Sequence, residues 1–312
     1  MKIAFVFPGQ GSQAIGMGRA MYDSFASARE VFQEVDEALG ESLSKLIFAG
    51  DEAELTLTAN AQPALMAVSL AITRTLSREF SVPISRASCV AGHSLGEYSA
   101  LAAIGALSIP DAARLLRLRG QAMQAACPLG EGAMASLIGK VDVALAEAIA
   151  EEGARAGVCV VANDNNIGNV VISGEVAGID AAIEAAKTRN VRAIRLNVSA
   201  PFHSPLMAPA ALVMRDALAQ IIISPPAVPL FANVTAASTQ NPEEIRALLV
   251  EQVTGRVRWR ETIEAMAASG IEQCVELGAG RVLAGMVKRI APDMQALAVN
   301  DPAQLEAFAA SL

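Results

Sequence analysis

A chain of 312 residues, 53% hydrophobic and 18% charged, can fill one large core or a large domain with a smaller companion. Its formal net charge of −8, with no lysine/arginine cluster interleaved with aromatics, argues against nucleic acid as the main partner. An acidic partner would need a local basic patch to overcome the general repulsion.

The first segment, "MKIAFVFPGQ", holds an apolar run too short for a signal peptide and stopped at Pro8-Gly9. Such a run reads as a buried parallel strand over Ile3–Phe7. Helical patterns follow over residues 18–39 and 62–79, then a second strand in "ASCVAGHS" and a helix over 96–106. "IPDAARLLRLRGQAMQAA" opens with proline and aspartate in its first turn, a good helix start. Strands alternating with helices predict a mostly parallel sheet covered on both faces.

From about residue 129 the rhythm changes to strand "GAMASLIG", helix 142–156, strands "VCVVA" and "NVVISG", helix 176–189 and strand "VRAIRLNV". That order, β-α-β-β-α-β, is the ferredoxin-like pattern. The expected fold is therefore α/β: a large domain over 1–128 and 199–312, with a small subdomain over 129–198 inserted in it. The large-domain pattern resumes after "SAPFHSPLM" with a helix to about 223, the strand "PLFANV", a helix over 241–253, the strand "QCVELG" and a helix over 281–290.

Cys89, Cys127, Cys159 and Cys274 show no metal-ligand spacing, and with two histidines in the chain no metal site is expected. No uncharged apolar run is long enough to span a membrane, so no membrane association and a cytoplasmic location are expected.

Chemistry concentrates in "GHSLGEYSALAAIGAL". Gly92-His93-Ser94-Leu95-Gly96 fits G-x-S-x-G, the strand-to-helix elbow that exposes a serine hydroxyl above an α/β sheet. A serine in a tight turn is the plainer reading of five residues. Activation needs a base, and histidine is the usual one. His93 shares the serine's turn and should point away from it, which leaves His203 in "SAPFHSPLM". Alone, His203 reads as a loop residue; beside an elbow with no other base, it reads as the proton acceptor. Attack on a carbonyl also needs two N–H donors for the oxyanion. Leu95, after the serine, supplies one; the turn "FPGQGSQ" offers Gln10 for the other. That turn lacks the lysine and the glycine spacing of a phosphate cradle. Arg119 shares a helix with Arg114 and Arg117 but points to a different face from Arg114, where it is either solvated or able to grip a carboxylate with two parallel hydrogen bonds.

"FPGQGSQ", "TANAQPALMAVSLA", "GHSLGEYSALAAIGAL", "RLRGQAMQ", "NDNNIGNVVISG", "APFHSPLM" and "ELGAGRVLAGMVKRI" follow one another from end to end. Together they resemble the bacterial malonyl-CoA:acyl carrier protein transacylases of type II fatty-acid synthesis; the acyltransferase domains of polyketide and animal fatty-acid synthases are similar. The resemblance implies a hydrolase-like core with a ferredoxin-like insertion. It puts the acylated serine at Ser94, the catalytic histidine at His203, the malonyl-binding arginine at Arg119 and the oxyanion N–H groups at Gln10 and Leu95. The backbone carbonyl that stands in for the usual triad acid falls, through "EQVTGRVRW", on Gln252. Phe202 resembles the malonyl-selective form of its motif.

The implied reaction is ping-pong transfer of malonyl from malonyl-CoA to the phosphopantetheine of acyl carrier protein, with no tightly bound cofactor and a monomeric enzyme. Arg117, Arg192, Arg195, Arg256 and Arg258 are candidates for a patch that meets the acidic carrier. Three departures stand out: "NNIGN" with Ile167 and Asn169 for "NNPGQ", Ala279 in "GAG" for "GPG", and "GRVRW" before Trp259 for "SPVRW". The alternatives are the same transfer in a polyketide or malonate-decarboxylase system, a serine hydrolase using Asp164 or Asp180 as its acid, and a non-enzymatic binding module.

Overall fold

All five residues of Ile3–Phe7 are buried, and this strand, β1, lies inside a six-stranded sheet in the computed structural model, which describes residues 1–312. A strand walled in on both faces has no solvent side to mark with polar residues, hence a run rather than an alternation. Where the pattern predicts one helix over 18–39 there are two, α1 (Arg19–Ser24) and α2 (Ala26–Leu39), separated by the extended residue Phe25. Short helices α3 (Leu43–Ala49) and α4 (Glu52–Thr56) follow, too brief to show a period in sequence.

Helix α5 (Thr58–Glu79) starts earlier than the predicted 62 and carries Pro63 inside it. Proline has no N–H, so the Ala59 carbonyl one turn back loses its helical donor. Arg117 Nη1 donates to that carbonyl at 2.8 Å. Sixteen of the 22 residues of α5 are buried, which makes it a core helix rather than a surface one. Strand β2 (Cys89–Gly92), α6 (Gly96–Ala103) and α7 (Ile109–Ala126) follow, α7 being capped by Ser108, whose hydroxyl accepts from Asp111 N at 3.1 Å.

The next six elements are β3 (Gly132–Ile138), α8 (Val143–Gly153), β4 (Cys159–Asn166), β5 (Asn169–Glu175), α9 (Val176–Thr188) and β6 (Arg192–Arg195). Their strands form a separate antiparallel sheet in the order β4-β5-β3-β6, with β5 between the two strands that α8 joins. This is the split β-α-β arrangement of the ferredoxin-like pattern. It has its own apolar cluster around Leu137, Ile149, Ile172 and Ile179.

The chain then returns through α10 (Ala208–Leu218), β7 (Leu230–Phe231), β8 (Ser238–Thr239), α11 (Pro242–Glu251), α12 (Trp259–Ala268), β9 (Gln273–Leu277), α13 (Val282–Ile290), β10 (Gln295–Val299) and α14 (Pro302–Ala310). The predicted strand "PLFANV" shrinks to two residues because the chain leaves the sheet at Ala232, whose N–H turns back to Ala237 O. The large sheet runs β10-β9-β1-β2-β7-β8, parallel except for the β7/β8 pair. β1 and β2 end side by side, Phe7 opposite Gly92, so the turns after both strands share the crevice at their carboxyl ends, where open α/β sheets bind ligands. The small sheet is fastened beside that crevice by Val257, which donates to Ala162 O at 2.8 Å and accepts from Asp164 N at 2.9 Å.

Candidate active site

The turn after β2 leaves no room for side chains at its glycines. A Cβ on Gly92 would lie 1.8 Å from the Gly96 carbonyl carbon, and one on Gly96 would lie 2.3 Å from Phe7 O. Between them Ser94 sits at φ 53°, in the left-handed region a non-glycine residue enters only under constraint. Asn233 supplies the constraint. Its Nδ2 donates to Gly92 O at 2.6 Å and its Oδ1 accepts from Ser94 N at 2.7 Å, so one amide holds the elbow on both sides of its bend.

Ser94 Oγ lies 2.8 Å from His203 Nε2. His203 Nδ1 faces two carbonyl oxygens, Gln252 O at 2.9 Å and Gly255 O at 3.1 Å. Carbonyls only accept, so Nδ1 carries the ring proton and Nε2 keeps its lone pair for the serine. Burial pushes the His203 pKa down to about 3, and the Arg119 charge adds to the effect. The other histidine, His93, turns away as predicted: its Nε2 is 2.9 Å from Asn165 Oδ1 and its ring tilts over Trp259.

Arg119 is 1% exposed and forms no ion pair. Its Nη1 donates to Gln62 Oε1 at 2.7 Å, and its Nη2 donates to Gln252 Oε1 at 2.9 Å and to Ser94 Oγ at 3.1 Å. Its Nε has no partner, and its charge lies over the Tyr98 ring at 5.8 Å. Burial draws its pKa down, against the pull of Tyr98 and Glu97. The backbone N–H groups of Gln10 and Leu95 donate to nothing in the chain, at the mouths of the two turns that meet here. These groups line one cleft of about 350 Å³, with Asn163 of β4 and Met286 of α13 on its walls.

An acyl transferase domain model matches residues 4–300. The malonyl CoA-acyl carrier protein transacylase of Bacillus subtilis (strain 168) is 44% identical over 309 residues, covering 98% of this chain and 95% of that protein. The chain belongs to the malonyl-CoA–acyl carrier protein transacylase family. Solved structures agree. The acyl-carrier-protein-S-malonyltransferase of Bartonella henselae is 52% identical and superposes with a TM-score of 0.97, covering 100% of this chain and 99% of that one. A malonyl-transacylase in complex with a type II polyketide-synthase acyl-carrier protein is 40% identical, with a TM-score of 0.96 and full coverage of both chains.

In this transacylase five of the six residues singled out from sequence line the cleft, the sixth, Gln252, is buried behind them against His203 and Arg119, and four further residues join them. Gln62, Asn233, Glu97 and Gly255 hold Arg119, the elbow, Gln252 and His203 respectively, by the bonds above and those to Glu97 below. Glu97 carried a readable signal, the one acid of α6; Asn233 carried none, because its partners lie about 140 residues away. The hydrolase alternative loses its acid. Asp164 is paired with Arg260 at 2.8 Å and Asp180 with Arg195, neither on His203. Of the five arginines read as a docking patch, Arg117 pairs with Glu41, Arg195 with Asp180, Arg256 with Glu147 and Arg258 with Glu261. Only Arg192 is free of an ion pair. The patch is thus four partly neutralised pairs and one lone cation, a weaker field than the sequence count suggests.

Proposed function

We propose that this enzyme moves a malonyl group from malonyl-CoA to the phosphopantetheine thiol of holo-acyl carrier protein through a malonyl ester on Ser94, supplying malonyl carrier protein for fatty-acid elongation. The observation that carries the reading is that one hydroxyl oxygen, Ser94 Oγ, lies between a base and a buried cation: His203 Nε2 at 2.8 Å and Arg119 Nη2 at 3.1 Å. A base is what any acyl transfer needs. A solitary buried guanidinium beside the nucleophile suits an acyl group that brings its own carboxylate.

The Ser94 hydroxyl proton passes to His203 Nε2 as Oγ bonds to the thioester carbon, and the carbonyl oxygen gains the displaced electron pair. The N–H groups of Gln10 and Leu95 are positioned to receive that oxyanion. When the C–S bond breaks, the CoA sulfur takes the proton from Nε2. The second half runs in reverse: the phosphopantetheine thiol gives its proton to Nε2, its sulfur bonds to the ester carbon, and Ser94 Oγ leaves with the proton. Two neutral carbonyls on Nδ1 make His203 a weaker base than a carboxylate would. A thiol leaving group, with an unperturbed pKa near 8.5, demands less acid assistance than an amine.

In this reading residues 1–128 and 199–312 are the transfer core, and residues 129–198 roof the cleft with β4. Carrier protein and CoA reach the serine by the same mouth, one after the other. The same transfer serving a polyketide carrier is the second reading, favoured by the polyketide carrier bound in one structural relative. Intact-mass analysis after mixing with malonyl-CoA tests the proposal. A malonyl adduct is expected in the wild type and absent in folded Ser94→Ala; an adduct retained in that variant overturns it.

A further inference from the structure

The transfer steps give no task to Glu97, which sits in the first turn of α6 and is 1% exposed. Its Oε2 accepts from Gln252 Nε2 at 2.7 Å and from Asn233 N at 3.2 Å. The same Gln252 Nε2 donates to Ser94 O at 3.0 Å, while Gln252 Oε1 accepts from Arg119 Nη2 at 2.9 Å. One amide therefore stands between a buried carboxyl and a buried guanidinium that touches no carboxylate. An amide has one donating and one accepting end. Turned over, it would set its NH₂ against Arg119 and its oxygen against both Glu97 and the Ser94 carbonyl. Glu97 fixes the orientation that gives Arg119 an acceptor.

Charge works in the same direction. Burial raises the Glu97 pKa to about 7, while Gln252, Asn233 and Arg119 pull it back down. Arg119 and the Tyr98 phenol are the charged or titratable groups that face it; Gln252 and Asn233 are neutral.

We propose that Glu97 is a positioning residue and the resident counter-ion of Arg119, acting through the Gln252 amide to temper the preference for an acyl group that carries a carboxylate. This rests on the malonyl-transfer reading above. With Glu97 ionised, an incoming malonyl carboxylate is the second anion at one guanidinium, and an acetyl group leaves that guanidinium partly compensated. With Glu97 neutral, malonyl gains and acetyl loses.

The test compares kcat/KM for malonyl-CoA and acetyl-CoA in wild type, Glu97→Gln, Arg119→Ala and the double variant at about pH 8, above the point where Glu97 ionises. Glutamine keeps an acceptor oxygen and removes the charge. The malonyl:acetyl ratio should rise roughly threefold or more in Glu97→Gln, and should not respond to that change when Arg119 is absent. A purely structural Glu97 would lower both rates alike and leave the ratio still. The wild type offers a second measurement that does not depend on a variant folding: its ratio should rise as pH falls through about 7, because His203 terms common to both substrates cancel. A ratio that is unchanged or lowered in Glu97→Gln, that shifts equally without Arg119, or that stays flat with pH overturns the assignment. A wild type forming no malonyl adduct overturns both readings; an adduct with a flat ratio overturns this one alone.

Discussion

At the residue scale, the proposed chemistry turns on two groups whose ordinary properties burial has altered. His203 is held neutral far below the usual histidine range, at about 3. The base form is the active one, so a lowered pKa extends activity to lower pH rather than curtailing it. An ordinary histidine, with a pKa of about 6.5, would lose activity tenfold per pH unit below that value. Acylation by malonyl-CoA should therefore show no fall in kcat/KM between about pH 7 and 5, and an acid limb centred on about 6.5 would show that the ring is not held neutral. In the proposed function Arg119 is the selectivity residue. Replacing it with alanine keeps Ser94, His203 and both N–H donors in place, so malonyl transfer should fall by about 30- to 1,000-fold while acetyl-CoA competes far better. Lysine should rescue poorly, since an ammonium cannot make a two-pronged contact. Rate constants for both thioesters decide this; an unchanged malonyl:acetyl ratio means the arginine does not select.

At the element scale, what matters is how a strained turn is kept at the end of a strand. Helix α6 can start two residues after Ser94 only because glycines at 92 and 96 let it press on β2 and β1: a methyl group on Gly92 would meet the Gly96 carbonyl carbon at 1.8 Å, and one on Gly96 the Phe7 oxygen at 2.3 Å. The bend itself is tied by Asn233, 1% exposed, which comes from the loop after β7. Asn233→Ala leaves the Gly92 carbonyl and the half-buried Ser94 N–H without their side-chain partner, at about 1–3 kcal/mol for a group that water does not reach. The expectation is a lower denaturant midpoint together with slower acylation, since the serine is no longer held at positive φ. Wild-type acylation in a destabilised variant would show that the elbow keeps its shape without the tie.

At the scale of the whole molecule, two sheets with separate cores are brought to one cleft. The Val257 bridge and the Arg260–Asp164 pair, whose carboxylate is 1% exposed, clamp β4 to the large core, and His93 on the elbow meets Asn165 on the same strand. The molecule is acidic overall, at −8, and four of the five arginines first read as a docking patch are already paired. An acidic carrier must then be met by what local positive potential remains, Arg192 included. The second half-reaction, onto carrier protein, should weaken with added salt beyond about 0.1 M more than acylation by malonyl-CoA does. Equal salt dependence of the two half-reactions would remove the electrostatic docking patch.

The sequence by itself determined what depends on neighbours along the chain. The apolar run at Ile3–Phe7, the glycine-flanked Ser94 and the β-α-β-β-α-β rhythm are local patterns, and each became the element it predicts. With only two histidines and one of them in the serine's own turn, His203 was legible by elimination, and the family resemblance carried Arg119, Gln10 and Leu95 to the same cleft and Gln252 to the far side of the His203 ring. Tertiary structure alone decided the supports. Gln62, Asn233, Glu97 and Gly255 act through hydrogen bonds across 52 to 155 positions, and no period or spacing encodes a partner so far along the chain. The same holds for the split of the helix at Phe25 and the shrinking of β7, where packing and a single turn overrode local preference. It holds too for the arginines, whose number is written in the sequence but whose pairing is not. A buried amide between a carboxylate and a guanidinium exists only once strands β2 and β7 and helices α6, α7 and α11 have closed on one another.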